Sequence, residues 1–293
     1  MKMINIIDIG CLTNKEQFLT LVVERLGKYP IDFAEKMRFV QSSRNADESH
    51  FAAGVLLLLH FRSNDKSPIS NDGEFCFQLI KRSSRVTQPG DLSCPGGLLN
   101  NYLDPILRFL ITGRLVPVLQ GSALTYIQMR DTDTTRLINL FLTNAAREAW
   151  EETGIRPWNI LFQGPLPTYS LLLFKRTIFP LVCFVRKEWQ FHPNPEVESI
   201  VEIPLKTFFN EKNYGLYSVE TSDQSKINRS GPREFPCLIV RNKEGNEEIL
   251  WGATFYIIMN FLKIVLNFEM PDLHAKRIIK RTLGPEYITG YQK

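Results

Sequence analysis

Three carboxylates share one face of a predicted helix in the middle of the chain. Glu148, Glu151 and Glu152 lie in the segment AREAWEETGI at spacings of i, i+3 and i+4, so a helix brings all three side chains together. Like charges at these spacings repel each other by about 0.2–0.5 kcal/mol per pair in an isolated helix. A divalent cation would remove this repulsion, because carboxylate oxygens are ligands that suit Mg²⁺ and Mn²⁺. The spacing therefore indicates a metal site, and the alternative is an exposed acidic helix end.

An arginine and a glycine pair accompany these carboxylates. Arg147 directly precedes the first of them and can hold a carboxylate by a bidentate contact, although it also suits an ordinary surface ion pair. The helix is predicted over residues 134–152, because cap-forming residues precede it and Gly154 follows it. Upstream, Gly96 and Gly97 allow the backbone to approach a ligand or a metal closely.

This arrangement resembles the signature of the Nudix hydrolases, G-x5-E-x7-R-E-U-x-E-E-x-G-U, in which U is an aliphatic or aromatic residue. The second half of the signature is intact, with Ala149 at its first U position. Gly96 and Gly97 stand where the family has its double glycine. The residues that match the second half are Arg147, Glu148, Glu151, Glu152, Gly154 and Ile155.

The first half of the signature is altered by an insertion. The family pattern leaves 13 residues between its glycine and its arginine, whereas 49 residues lie between Gly97 and Arg147 here, an insertion of about 36. Counting forward from the glycine ends one position before Asp104, and counting back from the arginine ends on Asn139. Asp104 can replace the first glutamate if the loop bulges, and otherwise that acidic position is empty. The inserted residues, about 105–143, form either a lid or a packing segment.

The segment LIKRSSRVTQPGDLSCPGG resembles the coenzyme A pyrophosphatase branch of this family. That branch has L-L-T-x-R-S and a basic residue before G-x-x-x-F-P-G-G, and here Cys94 replaces its phenylalanine and Thr87 its second arginine. Downstream, NPEVESIVEIPL and LWGAT resemble a later strand of the branch and the start of its last helix. The resemblance covers roughly residues 54–265, with the insertion as its main gap. The matching residues of the first segment are Leu79, Arg82, Ser83, Gly90, Pro95, Gly96 and Gly97.

The fold that this resemblance implies is α/β, the Nudix α/β/α sandwich with a mixed sheet between helices. Residues 1–45 are expected to form an N-terminal helical extension, residues 46–270 the Nudix domain with a long inserted loop, and residues 271–293 a C-terminal tail. Apolar runs and spacing predict the elements of this domain. They are strands over 54–61, 75–81, 177–185 and 199–204, the first two paired as a hairpin, and a helix over 251–268.

The function implied by the resemblance is Mg²⁺-dependent cleavage of the pyrophosphate of a nucleoside-diphosphate derivative, with coenzyme A or an acyl-CoA favoured and Mn²⁺ as an alternative metal. The metal lowers the pKa of an attacking water, and a carboxylate must accept its proton. The expected metal ligands are Glu148, Glu151, Glu152 and the carbonyl of Gly97. The expected catalytic residues are Arg147, with Glu152, Glu196 or Glu198 as proton acceptor, and the expected substrate-binding residues are Lys81, Arg82, Ser83 and Gly96.

Two other functions stay open at this point. A nucleotide-binding module without turnover is consistent with the insertion, although such a module has no evident need for three facing carboxylates. A hydrolase of ADP-ribose or nucleotide sugars would use the same residues. Glu196 and Glu198 also suit ordinary loop positions, and Arg82 suits an exposed strand end.

Composition excludes several classes of protein. The 293 residues carry a net charge of +4, too small an excess to indicate nucleic-acid binding. Five cysteines without a CxxC pair do not indicate a zinc site or a disulfide framework. The longest apolar run, residues 54–59, is too short to span a membrane.

We therefore expect a cytoplasmic protein with a small-molecule substrate and neither a nucleic-acid nor a membrane partner. Its oligomeric state is open, a homodimer included.

Overall fold

The computed structural model describes residues 11–43, 50–63, 73–171, 174–221, 233–241, 245–273, 276–284 and 287. Its helices are α1 (Lys15–Lys28), α2 (Phe33–Ser43), α3 (Leu103–Thr112), α4 (Gly121–Gln128), α5 (Thr132–Thr153) and α6 (Gly252–Leu266). Its strands are β1 (Phe51–Ser63), β2 (Gly73–Arg82), β3 (Leu92–Ser93), β4 (Gly96–Leu98), β5 (Ile160–Pro165), β6 (Tyr169–Leu171), β7 (Arg176–Val185), β8 (Val197–Pro204), β9 (Tyr214–Thr221), β10 (Arg233–Arg241), β11 (Glu247–Trp251) and β12 (Arg277–Leu283).

A mixed sheet in the order β3-β2-β1-β7-β5 forms the centre of the molecule. Strand β1 runs parallel to β7 and antiparallel to β2. Strand β4 pairs with the first half of β1, β6 pairs with β7, and β8 pairs with β2. Because β1 is covered on both faces, its residues 52–61 are buried throughout, and this explains why its sequence is a continuous apolar run rather than an alternating one.

Helices cover both faces of this sheet. On one face, α1 and α6 pack with side chains of a second sheet, including Leu238 and Leu250, to form one apolar core. On the other face, α2, α4 and α5 form a separate core, in which Phe141 of α5 stacks on Phe179 of β7 at a centroid distance of 3.8 Å. The predicted fold class, an α/β sandwich with a mixed sheet between helices, is confirmed.

The predicted elements of the main sheet are confirmed with small changes of boundary. The strands over 54–61, 75–81, 177–185 and 199–204 are β1, β2, β7 and β8, each longer by one to five residues in total. The first two form the expected antiparallel hairpin. The helix predicted over 251–268 is α6. Among the described residues, no helix is long and apolar enough to cross a membrane.

Residues 105–143, expected as an inserted loop, are largely helical. They form most of α3, all of α4 and the first half of α5, which extends the predicted helix to 22 residues. The insertion also contacts the N-terminal helices, because the Arg130 guanidinium donates to the carbonyls of Leu26, Gly27 and Tyr29 at 2.9–3.2 Å and so satisfies the C-terminal end of α1. The ring of Tyr126 lies where a Cβ of Gly27 would be. Residues 1–10 of the expected N-terminal extension lie outside the described residues.

A second sheet, in the order β11-β10-β9-β12, was not anticipated from the sequence. Part of the segment expected as a C-terminal tail forms its edge strand β12, which runs parallel to β9. Two of its basic residues are paired within the fold. Arg277 donates to the carboxylate of Glu247 at 2.9 and 3.0 Å, and Arg281 lies 3.3 Å from a carboxylate oxygen of Asp91.

The packing of α1 on the main sheet predicts a large effect at Phe18. This ring is fully buried, 4.5 Å from the ring of Phe75. We expect Phe18→Ala to lower the free energy of unfolding by about 3–5 kcal/mol, because a cavity is left in the core. Phe39→Ala, at a half-exposed position of α2, should cost about 1 kcal/mol or less. Urea unfolding followed by circular dichroism measures both values, and equal losses would contradict the packing of α1.

Candidate functional site

Helix α5 positions two of the three clustered carboxylates against the sheet. Its N-terminus is capped by the Asp131 carboxylate, which accepts from the backbone N–H of Thr134 at 2.8 Å. Phe141 and Ala145 are buried on the sheet, and Glu148 and Glu152 follow on the same helical face. Glu152 is buried and Glu148 is half-buried.

Close approach between α5 and strand β1 depends on Gly54. A Cβ at this position would lie 2.9 Å from the carbonyl oxygen of Phe141 and 2.6 Å from the side-chain oxygen of Asn144. The backbone N–H of Gly54 donates to that same oxygen at 2.9 Å. Neither residue was singled out from the sequence. A glycine within an apolar strand and an asparagine one turn before Glu148 on the apolar face of the predicted helix are the signals that could have identified them.

The glycine pair lies directly on the two carboxylates. The backbone N–H of Gly96 donates to Oε2 of Glu152 at 2.8 Å. Gly96 has a φ of +148°, and a Cβ there would overlap the carbonyl oxygen of Gly54, so a larger residue does not fit. A Cβ on Gly97 would lie 2.5 Å from Cδ of Glu148. The strand β4 therefore brings peptide groups to both carboxylates.

Burial gives these carboxyl groups a strong affinity for a proton or a cation. The pKa of Glu152 is raised to about 8, chiefly by desolvation and also by the charges of Glu148 and Glu196, while the Gly96 N–H and the charge of Arg82 act in the opposite direction. Desolvation also raises the pKa of Glu148, although Arg147 opposes this shift. Within the described residues, no lysine or arginine forms an ion pair with Glu152. The carboxylate oxygens of Glu148 and Glu152 are hard ligands, and they suit a divalent cation such as Mg²⁺ or Mn²⁺.

Asp104 occupies the position opposite Arg147, despite the insertion. Nε of Arg147 donates to Oδ1 of Asp104 at 2.8 Å, and the aspartate is fully buried. Oδ2 of Asp104 also accepts from the Asn144 amide at 2.9 Å and from the Asn100 backbone N–H at 2.8 Å. The same arginine holds Glu148 at 2.8 Å and is thereby fixed beside the site. The first turn of α3 therefore supplies the acidic side chain that pairs with Arg147.

Glu151 is placed differently from the other two carboxylates. It is exposed, and its Oε2 accepts from Nη1 of Arg147 at 3.0 Å. The spacing placed all three on one face, but the sheet covers only one edge of that face. Glu151 therefore lies at the solvent side of the cluster.

A loop docked on the end of α5 brings Glu196 to the site. The backbone N–H groups of His192 and Asn194 donate to the carbonyls of Thr153 and Glu152 at 3.1 and 3.2 Å, which satisfies two helix-end acceptors. Glu196 follows in this loop, is exposed, and is near enough to raise the pKa of Glu152.

Ser83 holds this loop. Its hydroxyl donates to the carbonyl of Pro195 at 2.7 Å, and its backbone N–H donates to the carbonyl of Glu196 at 2.8 Å. The side chain predicted to bind substrate is thus engaged in positioning the loop. Arg82, its neighbour, donates from Nε to the carbonyl of Thr87 at 2.8 Å, and its charge reaches Glu152.

Lys81 and Glu198 lie apart from the carboxylate cluster. Successive residues of a strand point to opposite faces, so Lys81 and Arg82 diverge at the end of β2. Lys81 forms ion pairs with Glu248 at 2.9 Å and with Glu198 at 3.3 Å. Glu198 is the extra residue of a bulge between β2 and β8. The structure therefore groups Glu196 and Arg82 with Glu152, but does not bring Lys81 and Glu198 there.

Comparison with known proteins returned solved structures only. No family model matches the chain, and no curated protein matches it. An Ap4A hydrolase from C. elegans is 12% identical with a TM-score of 0.32, covering 53% of this chain and 81% of its own. The MutT protein from Methanosarcina mazei Go1 is 17% identical with a TM-score of 0.31, covering 54% and 80%. An ADP-ribose pyrophosphatase from Streptococcus suis is 13% identical with a TM-score of 0.29, covering 54% and 76%. Because these TM-scores are below 0.5, function must be inferred from the residues of the site.

The raised pKa of Glu152 predicts a loss of stability with rising pH in the metal-free protein. The carboxyl has a pKa of about 8 in the folded chain against 4.5 for a solvent-exposed glutamate, so between these values the folded state holds a proton that the unfolded state has released. With EDTA present, the free energy of unfolding should fall between about pH 5 and pH 8, by at most about 1.4 kcal/mol per pH unit from this group. Urea unfolding of wild type and Glu152→Gln across this range measures the difference. Identical slopes would contradict the assignment.

The buried pair of Asp104 and Arg147 predicts a second stability effect. Asp104→Asn leaves a buried guanidinium without its main counter-charge, although Glu148 still contacts it, so we expect a loss of about 2–4 kcal/mol in the free energy of unfolding. Asp133→Asn, in the exposed first turn of α5, should cost at most about 1 kcal/mol. Thermal and urea unfolding of the two variants at pH 7 test this contrast. Comparable losses would show that the ion pair does not organise the site.

Proposed function

We propose that the chain is a divalent-metal-dependent hydrolase of the Nudix type that cleaves the pyrophosphate of a nucleoside-diphosphate derivative. The observation that carries this proposal is the burial of Glu152 against the Gly96 N–H, beside Glu148 and Glu196, with no basic side chain among the described residues paired to it. A purely structural carboxylate would be expected to have a cationic partner.

The metal is proposed to be held by Glu148, Glu152 and the carbonyl of Gly97, with Glu151 at the solvent side. A divalent cation at this position supplies charge neutralisation at the phosphate oxygens and lowers the pKa of a water. Arg147 holds the carboxylate of Glu148 in place, and Asp104 holds the arginine. This arrangement orients the ligands before the metal arrives, so little reorganisation is needed on binding.

Glu196 is the proposed proton acceptor. It is exposed to solvent beside the cluster, where it can take a proton from a water, and its charge acts on Glu152. Glu198, the other candidate from the sequence, is paired with Lys81. Glu152 itself is better suited to metal binding, because a bound cation can take the place of the proton that burial favours on this carboxylate.

The substrate is proposed to be coenzyme A or an acyl-CoA, on the sequence resemblance around Arg82 and the glycine pair. Arg82 is half-buried beside the cluster and is the basic group best placed to contact a phosphate. ADP-ribose and nucleotide sugars share the pyrophosphate that the site would act on. The alternative of a binding module without turnover is less well supported, because Asp104 supplies the acidic partner of Arg147 that the insertion had put in question.

Turnover by wild type and by Glu152→Gln tests the proposed function. We expect wild type with Mg²⁺ or Mn²⁺ to cleave one member of a pool of coenzyme A, acyl-CoA, ADP-ribose, dinucleotides and nucleotide sugars. Glu152→Gln and Glu151→Gln should lose at least about 100-fold in rate, with the larger loss at the buried position. Products are identified by mass spectrometry, with H₂¹⁸O to mark the phosphorus that water attacks.

The matched control is Glu188→Gln, an exposed glutamate outside the cluster, which should retain wild-type turnover. Failure of wild type to cleave any member of the pool with either metal would favour the binding module. Full activity in Glu152→Gln would contradict the metal assignment.

A further inference from the structure

Helix α3 presents an apolar face to solvent. Its exposed residues include Ile106 and Phe109, each 66% exposed, and the residues beside the helix include Tyr102 at 86% and Leu115 at 75%. Surface clusters of large apolar side chains mark interaction sites in soluble proteins. We define the α3 patch as Tyr102, Leu103, Ile106, Phe109, Leu110 and Leu115.

The patch is continuous rather than scattered. At about 100° per residue, the exposed apolar residues of α3 (Leu103, Ile106, Phe109 and Leu110) fall within an arc of about 120°. The buried residues Asp104 and Ile111 lie on the other side of the helix. One side of α3 therefore binds Arg147 through Asp104, and the other side faces outward without an apolar partner among the described residues.

Apart from the buried Asp104, the charged side chains within residues 98–118 are two arginines. Arg108 lies 5.8 Å from the ring centroid of Phe109, and the exposed Arg114 follows the end of the helix. Among the described residues, neither arginine forms an ion pair. Within residues 98–118 the one acidic residue is Asp104, which is fully buried. This segment combines an apolar helix face with two arginines that form no ion pair among the described residues, and it has no exposed carboxylate. Such a face complements a surface that is anionic outside and apolar inside.

We propose that the α3 patch docks on an anionic lipid surface. The apolar side chains enter the boundary between headgroups and acyl chains, and Arg108 and Arg114 contact the headgroup phosphates. This mode lies along the bilayer and does not span it, so it is compatible with the absence of a spanning helix among the described residues. It revises the expectation from composition that the protein has no membrane partner, and it does not rest on the proposed hydrolase activity.

A second copy of the chain fits the patch less well. A two-fold contact through this face would bring the same two arginines of each copy to one interface, and residues 98–118 offer no exposed carboxylate to pair with them. An anionic bilayer neutralises both arginines.

Vesicle flotation of the full chain tests the proposal. We expect wild type to bind large unilamellar vesicles of phosphatidylcholine mixed with phosphatidylserine, and to bind those of phosphatidylcholine alone much more weakly. The double variant Ile106→Ser/Phe109→Ser should reduce the bound fraction by about tenfold or more, because two large apolar side chains no longer insert. Arg108→Gln/Arg114→Gln should weaken binding to the anionic vesicles specifically, and high salt should have the same effect on wild type.

Phe39→Ser, at a half-exposed position of α2 outside the patch, is the matched control and should bind vesicles like wild type. Circular dichroism confirms that each variant is folded. The proposal is overturned if wild type does not bind anionic vesicles, or if Ile106→Ser/Phe109→Ser binds them as wild type does. It is also overturned if sedimentation equilibrium shows a dimer that this double variant dissociates while vesicle binding is absent.

Discussion

The arrangement of the site depends on one electrostatic constraint, the burial of Glu152 at the point where helix α5 meets the edge of the sheet. A carboxylate that is removed from water must be compensated by hydrogen bonds, a proton or a cation. Here the backbone of Gly96 supplies one hydrogen bond. This bond does not offset the loss of hydration, so the pKa of Glu152 is raised to about 8. The glycines at positions 54, 96 and 97 are needed because larger side chains would separate the helix, the strand and the carboxylates.

The second constraint is the buried pair formed by Asp104 and Arg147. It joins the first turn of α3 to α5 although the two residues are 43 positions apart in the chain, and Asn144 ties the same aspartate to the strand through the N–H of Gly54. Residues 105–143 therefore leave the carboxylate cluster intact, because they fold largely into helices that pack on α5 and on the N-terminal helices. Helix α3 contacts Arg147 on one side through Asp104, and its other side exposes apolar residues to solvent.

Position in the sheet separates residues that the sequence places together. Lys81 and Arg82 are adjacent in the chain, but the strand pleat sends them to opposite faces. Lys81 is consequently paired with Glu248 and Glu198, whereas the charge of Arg82 reaches Glu152. Ser83, one residue further on, holds the loop that carries Glu196. Of Lys81 and Arg82 at the end of β2, Arg82 is therefore the basic side chain that lies beside the carboxylates.

Local sequence patterns were sufficient to predict the long strands of the main sheet, helices α5 and α6, and the carboxylate cluster. Strand β1 and helix α5 follow from a continuous apolar run and from 3.6-residue spacing with capping residues at both ends, and these signals act over a few residues. The tertiary structure alone decided that Asp104 pairs with Arg147, that Asn144 bridges the helix and the strand, and that Glu196 rather than Glu198 is near Glu152. It also decided the pairing of β12 with β9. Each of these contacts joins residues that are distant in the chain, and their distance in space depends on how the helices and sheets pack rather than on any local preference.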